Sequence, residues 1–166
     1  MLRHRGTVAA TARVLVVDDD ATMLVSVSRM LSRQGYEVLP AYGPSQALEI
    51  VRTPPPVQLI LSDVEMPEMR GTQLVSEVFK LSPETAGLLM TGGIEPPDVP
   101  EGVAVLKKPF STAELILAVQ STLARSVELY GRMRELAERN ERLRSELQRA
   151  VEKRIGTLRQ SSDKPR

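Results

Sequence analysis

Four short apolar runs punctuate the first two thirds of the chain, and each ends on a polar group. Val14-Leu15-Val16-Val17 ends on Asp18-Asp19-Asp20, and Leu59-Ile60-Leu61 on Ser62-Asp63. Leu88-Leu89-Met90 ends on Thr91, and Val103-Ala104-Val105-Leu106 on Lys107-Lys108-Pro109. Runs of this length without polar alternation predict strands buried on both faces. A further segment, Tyr36 to Pro40, lacks a clean apolar core and is predicted at a sheet edge.

The intervals carry helical periodicity. Leu24, Val27 and Leu31 share one face of a helix predicted over 21–34, with Asp20 or a neighbour as its cap and Gly35 at its end. Pro44 suits a first helical turn, Ala47, Leu48 and Val51 follow as an inward stripe, and Pro54-Pro55-Pro56 stops that helix. A third helix is predicted from about Thr72 to Leu81, with Leu74, Val75, Val78 and Phe79 inward, ending before Pro83. Strands alternating with helices predict an α/β fold whose parallel sheet is covered on both faces. Short right-handed crossovers predict a flavodoxin-like doubly wound sheet of five strands in the order 2-1-3-4-5.

Two stretches break the alternation. Between Thr91 and the last strand lies GGIEPPDVPEG, containing Pro96, Pro97 and Pro100. An interior proline costs a helix about 3 kcal/mol, so a loop with at most one helical turn is predicted there. Beyond Pro109-Phe110, Ser111 and Glu114 have the spacing of a capping box and open the last helix. That helix continues with Leu129, Met133, Leu136, Asn140, Leu143 and Leu147 in alternating steps of four and three, the periodicity of a coiled coil. Near Val151, Ile155 and Leu158 the stripe shifts as after a stutter. Unbroken from Thr112 to Arg159, it would be roughly 70 Å long, with Gly131 and Gly156 as the expected bends. The expected organisation is a flexible arm over 1–11, an α/β domain over 12–125, an amphipathic helix over 126–160 and a disordered tail over 161–166.

Composition narrows the class. The 166 residues contain no cysteine, which excludes a disulfide framework and a thiolate metal site. No run approaches the ~18 apolar residues of a membrane span, and the first residues lack the apolar stretch of a signal peptide, so a cytoplasmic protein is expected. The net charge of +1 hides an asymmetry: residues 1–124 carry 10 Lys/Arg against 14 Asp/Glu, and residues 125–166 carry 12 against 7. The charges of the basic part are interleaved in sign, so a solvated helix face is expected rather than nucleic-acid contact. His4, the only histidine, is taken as incidental.

The strand tips carry acid, acid, hydroxyl and amine. In a parallel sheet they converge at the carboxyl edge, where open α/β folds place their sites. The set resembles the receiver domain of two-component response regulators over roughly residues 12–125. An acidic pair follows the first strand, an Asp63-x-x-Met66-Pro67-x-x-x-Gly71 motif the third, Thr91 the fourth and Lys108-Pro109 the fifth. The resemblance implies that Asp63 accepts a phosphoryl group with help from Thr91 and Lys108. It implies a Mg2+ ion on Asp19 and Asp63, on Asp18 through water, and on the backbone carbonyl of Glu65. It also implies that the chain catalyses only its own phosphorylation and dephosphorylation, with a sensor histidine kinase or phosphotransfer protein as donor. The chemistry is consistent: a carboxylate can attack phosphorus, provided a hard cation and an ammonium neutralise the anionic partners. Each group also has a plainer role, Asp18–Asp20 as a helix cap, Asp63 as a turn aspartate, and the lysines as solvated surface groups.

Two features depart from the family. Receivers place a fourth helix where the Pro-rich segment lies, so that helix is expected to be reduced or absent. Three positions before Lys108, where an aromatic residue usually switches, stands Val105, a stiff β-branched side chain. The expected function is a signalling module with output through its C-terminal helix, without a DNA-binding domain. The helix is expected to form a homodimer, Leu at one core position and Asn140 at the other favouring a parallel coil; Arg139 and Arg144 would then face each other, and the alternatives are an antiparallel pairing, folding back onto the receiver, or a lone amphipathic helix. Two alternatives are a receiver-like dimerising scaffold that phosphorylation does not switch, and, less well supported, a carboxylate-nucleophile phosphohydrolase.

Overall fold

The structure, a computed structural model, describes residues 11–162, with side chains through Gly156. The expectations for residues 1–10 and 163–166 lie outside the described residues. The elements run β1 Arg13–Val17, α1 Ala21–Ser32, β2 Glu37–Ala41, α2 Pro44–Arg52, β3 Leu59–Asp63, α3 Gly71–Leu81, β4 Ala86–Thr91, β5 Ala104–Lys107 and α4 Thr112–Ser162. The five strands are parallel throughout and ordered β2-β1-β3-β4-β5, the doubly wound arrangement read from the sequence.

Both faces of the sheet are packed, which is why the central strands read as continuous apolar runs. Val14 and Val16 with Leu59, Leu61, Leu88 and Met90 face α1 (Leu24, Val27, Leu31) and the first turns of α4 (Leu115, Val119). Their neighbours in sequence, Leu15, Val17, Ile60 and Leu89, face α2 (Ala47) and α3 (Leu74, Val75, Val78). The period of two along each strand therefore divides one apolar run between two cores. Phe79 is partly buried against the second core.

Local signals hold where they have a hydrogen-bonding reason. The Asp20 carboxylate caps α1, accepting from the N–H of Thr22 at 2.7 Å and of Met23 at 3.2 Å. Gly35, with φ of +88°, follows α1 in the left-handed region that favours glycine. The capping box of α4 is complete: the Ser111 N–H donates to Glu114 Oε2 at 2.7 Å, and the Glu114 N–H donates to Ser111 Oγ at 3.2 Å. The hydrogen bonds from the Ser111 backbone and hydroxyl hold the Glu114 carboxyl below its ordinary pKa. No helix is described between β4 and β5, so the Pro-rich segment is a loop.

Boundaries shift slightly. β2 spans Glu37–Ala41 rather than Tyr36–Pro40, an edge strand having little burial to set its ends. The chain divides into units at Ser126 and Val127. α4 crosses Gly131 and Gly156 as one helix of 51 residues and ends at Ser162, two residues beyond the expected helix end at 160. A glycine costs only about 1 kcal/mol against Ala, which a helix of this length absorbs. Among the described residues, no helix is long and apolar enough to cross a membrane.

Candidate functional site

Parallel register aligns the strand tips. Val17 pairs with Ser62, Asp63 with Met90, and Thr91 with Lys107, so the residues that follow leave the sheet at one edge. There Lys108 Nζ donates to Asp63 Oδ1 at 2.7 Å and to Asp18 Oδ2 at 3.3 Å. The carboxylate oxygens of Asp18, Asp19 and Asp63 lie within 4.8 Å of one another. The three Asp tips are therefore one cluster, and Lys108 is part of it. Asp20 alone provides the cap of α1, which leaves Asp18 and Asp19 for the site.

The cluster is sheltered but not closed. The Asp18 side chain is 2% exposed, that of Asp63 10% and that of Lys108 20%, while Asp19 is exposed to solvent. Burial raises the Asp18 carboxyl above its ordinary pKa, and the Asp63 charge adds to this. The hydrogen bond from the Asp20 N–H at 2.9 Å and the Lys108 charge offset only part of the rise. Burial would lower the Lys108 ammonium, but hydrogen bonds to and charges of Asp63 and Asp18 together outweigh it and raise its pKa. The net effect keeps the Lys108 ammonium charged.

The β3–α3 loop fixes Asp63 from below. The Glu65 N–H donates to Asp63 Oδ2 at 2.9 Å, and the Gly71 N–H donates to the Val64 carbonyl at 3.0 Å. A Cβ at Gly71 would overlap the backbone carbonyl oxygen of Asp63, so the start of α3 can pass this close only as glycine. The Lys108–Pro109 peptide bond is cis.

Thr91 is buried at the tip of β4, but its hydroxyl accepts from the Gly93 N–H at 3.2 Å. Among the described residues it makes no recorded hydrogen bond to Asp63 or Lys108. It lines an open cleft of about 550 Å³ together with Gly92, Gly93, Val105 and Lys107. The Glu65 side chain turns outward to Arg70 at 3.4 Å. One arrangement was not anticipated. Asp98, in the Pro-rich loop, accepts from Thr72 Oγ1 at 2.7 Å and pairs with Arg70 at 3.4 Å, tying that loop to the start of α3. Its only sequence signal is an isolated acid among prolines.

An all-oxygen donor set of three carboxylates suits a hard divalent cation such as Mg2+ and offers nothing to a softer metal. With one ammonium against three acids, the cluster also has a charge deficit that such an ion would offset. The donor set therefore fits the metal that the fold implies.

A doubly wound α/β fold with an acidic cluster and a lysine at its carboxyl edge defines the class. The response regulator receiver domain model matches residues 14–120. The chain is 31% identical over 157 residues to transcriptional regulatory protein PdtaR of Mycobacterium tuberculosis H37Rv, covering 90% of this chain and 74% of that protein. It is 29% identical over 116 residues to response regulator receiver protein CpdR of Brucella abortus, covering 67% of this chain and 96% of that one. Among solved structures, chemotaxis protein CheY4 of Vibrio cholerae superposes with a TM-score of 0.63 at 32% identity, over 68% of this chain and 99% of that one. The chain belongs to the response regulator receiver family of two-component systems.

Proposed function

We propose that this chain is a phosphorylation-dependent signalling module whose phosphoacceptor is Asp63 and whose output runs through the C-terminal helix. The supporting observation is the position of Lys108 Nζ, which holds Asp63 and Asp18 on one ammonium while Asp19 stands within 4.8 Å. A surface lysine or a turn aspartate would not bring these groups together from three different strands.

The donor is the phosphohistidine of a sensor histidine kinase or phosphotransfer protein. A segment of sensor kinase CckA of Brucella abortus is itself 33% identical to this chain over 123 residues. A carboxylate oxygen of Asp63 forms a bond to phosphorus as the donor's P–N bond breaks, and the electron pair leaves on the imidazole nitrogen. Asp18, Asp19, Asp63 and the Glu65 carbonyl would hold Mg2+, which supplies charge neutralisation to the phosphoryl oxygens. Lys108 contributes a fixed ammonium to the same group. Its release from Asp63 is the exchange that the transfer requires. Thr91 provides a hydroxyl once it gives up Gly93. The reverse step is attack of water on the acyl phosphate, so the chain acts on its own phosphoryl group and turns over no free substrate.

PdtaR is called a transcriptional regulatory protein. Here the described residues after Ser126 form a single helix with charges of both signs, and the reading we favour is output by protein contact. In this reading the protein is cytoplasmic and the helix mediates a homodimer. One observation favours a second reading, a dimerising scaffold not switched by phosphorylation. Val105 and a loop stand where the family's switching aromatic and fourth helix are expected.

Incubation with acetyl phosphate and Mg2+, followed by intact mass, tests the proposal. A phosphoryl adduct in the wild type that is lost in Asp63→Ala is expected. Absence of the adduct would favour the scaffold, and steady turnover of small phosphoesters would favour a hydrolase.

A further inference from the structure

Past Ser126, α4 carries an apolar stripe whose side chains are exposed. Leu129, Met133, Leu136, Leu143, Leu147, Val151 and Ile155 are each about half exposed, between 46% and 65%. An isolated helix of ordinary composition gains most of its stability from the face it buries, and this one has no face buried. Most of the large apolar side chains lie on one seam; Val127, 74% exposed, and Tyr130 lie outside it, and charged and small residues make up the rest.

The occupant is a second copy, because the seam complements itself. A specific interface buries roughly 1,000 Å² or more in total, and seven half-exposed large apolar side chains on each copy are the surface available to it. The spacing from Leu129 to Leu147 is that of knobs into holes, and the sequence positions of Val151 and Ile155 carry the seam one residue past Ala150 and Arg154.

Two effects oppose each other over direction, and their sizes decide it. In parallel register Asn140 faces the Asn140 of its copy, and the two amides satisfy each other. The same register sets Arg139 against Arg144 of the copy at the exposed flank. In the antiparallel registers that keep the seam closed, Asn140 faces Leu136 or Leu143. Glu146 then gains Arg132 or Arg139 as a partner. Two amides left without partners in an apolar layer weaken association by about tenfold or more each. Exposed charge pairs, attractive or repulsive, change it by about twofold each. The buried amides outweigh the flanking charges.

We propose that residues 129–155 form a parallel, in-register two-stranded coil with a second copy of this chain, in which Asn140 pairs with Asn140. The proposal rests on the reading that the C-terminal helix dimerises, and it adds direction and register.

The chain has no cysteine, so engineered thiols report the geometry directly. Met133→Cys places two thiols in one layer of the parallel coil. In the antiparallel registers the same residues lie on the order of 15 to 25 Å apart along the axis. Full-length protein is expected to sediment as a dimer, with Met133→Cys oxidising almost completely to a disulfide-linked dimer. Leu143→Glu is expected to weaken self-association at least a hundredfold. If Met133→Cys stays reduced while Met133→Cys with Ala150→Cys cross-links, the proposed direction is overturned and the dimer stands. A monomer at all concentrations, or a dimer indifferent to Leu143→Glu, overturns the coil itself.

Discussion

Leu115 and Leu136 are the same residue type on the same helix, three heptads apart, and their surroundings are opposite. Leu115 is fully buried beneath the sheet, whereas Leu136 is 59% exposed. Both follow from one hydrophobic period, so the period alone does not define a core. It defines a face, and what meets that face decides the role. In the receiver unit the face of α4 meets Leu88, Met90 and α1, and its contribution is to folding. Beyond Ser126 the side chains of the same period are about half exposed, and in the proposed coil their contribution comes from association.

The comparison can be broken by substitution. Leu115→Ala is expected to destabilise the receiver unit by about 2–4 kcal/mol in urea unfolding, because a filled site under the sheet becomes a cavity. Leu136→Ala, measured at low protein concentration, should move the same transition by less than about 0.5 kcal/mol. Equal effects would mean that the extension is part of the folded body.

Gly71→Ala tests the other end of the site. The added Cβ overlaps the Asp63 carbonyl, and the expected cost is about 2 kcal/mol, with slowed phosphorylation because the phosphoacceptor strand tip has to shift. Ser111→Ala removes the reciprocal cap of α4 and should cost about 1 kcal/mol by thermal or urea unfolding while leaving self-association unchanged.

The smallest expected effect is a pH effect at the loop tether. The hydrogen bond from Thr72, ahead of the Arg70 charge, holds the exposed Asp98 carboxyl below its ordinary value of 3.8. The folded state thus favours the charged form more than the unfolded chain does. The stabilisation is complete above that ordinary value and is lost as pH falls through the lowered one. An NMR titration should place Asp98 below free aspartate in the wild type and move it upward in Thr72→Val.

The parts legible in the sequence are those where burial and chemistry coincide. A central parallel strand is covered on both faces, so it reads as an apolar run, and its polar tip stands out against it. Asp18, Asp63 and Lys108 were found that way. β2 was placed one residue off because an edge strand with pattern exposed, intermediate and buried has no such contrast. Choosing Lys108 over Lys107 needed Pro109 beside it. The division of labour in Asp18-Asp19-Asp20 was not legible from spacing and came from the family resemblance, since three adjacent acids look equivalent until the helix axis selects Asp20 as its cap. Nor was the contact of Asp98 with Thr72, which joins positions 26 apart through the path of an irregular loop.

The most direct measurement is chemical trapping of the phosphorylated residue. After reaction with a phosphodonor and Mg2+, borohydride reduces an acyl phosphate to an alcohol, and peptide mapping locates it. The account predicts a single reduced site at residue 63, absent when Mg2+ is withheld. Reduction at another carboxylate, or at none in a protein that has taken up phosphoryl, would contradict it.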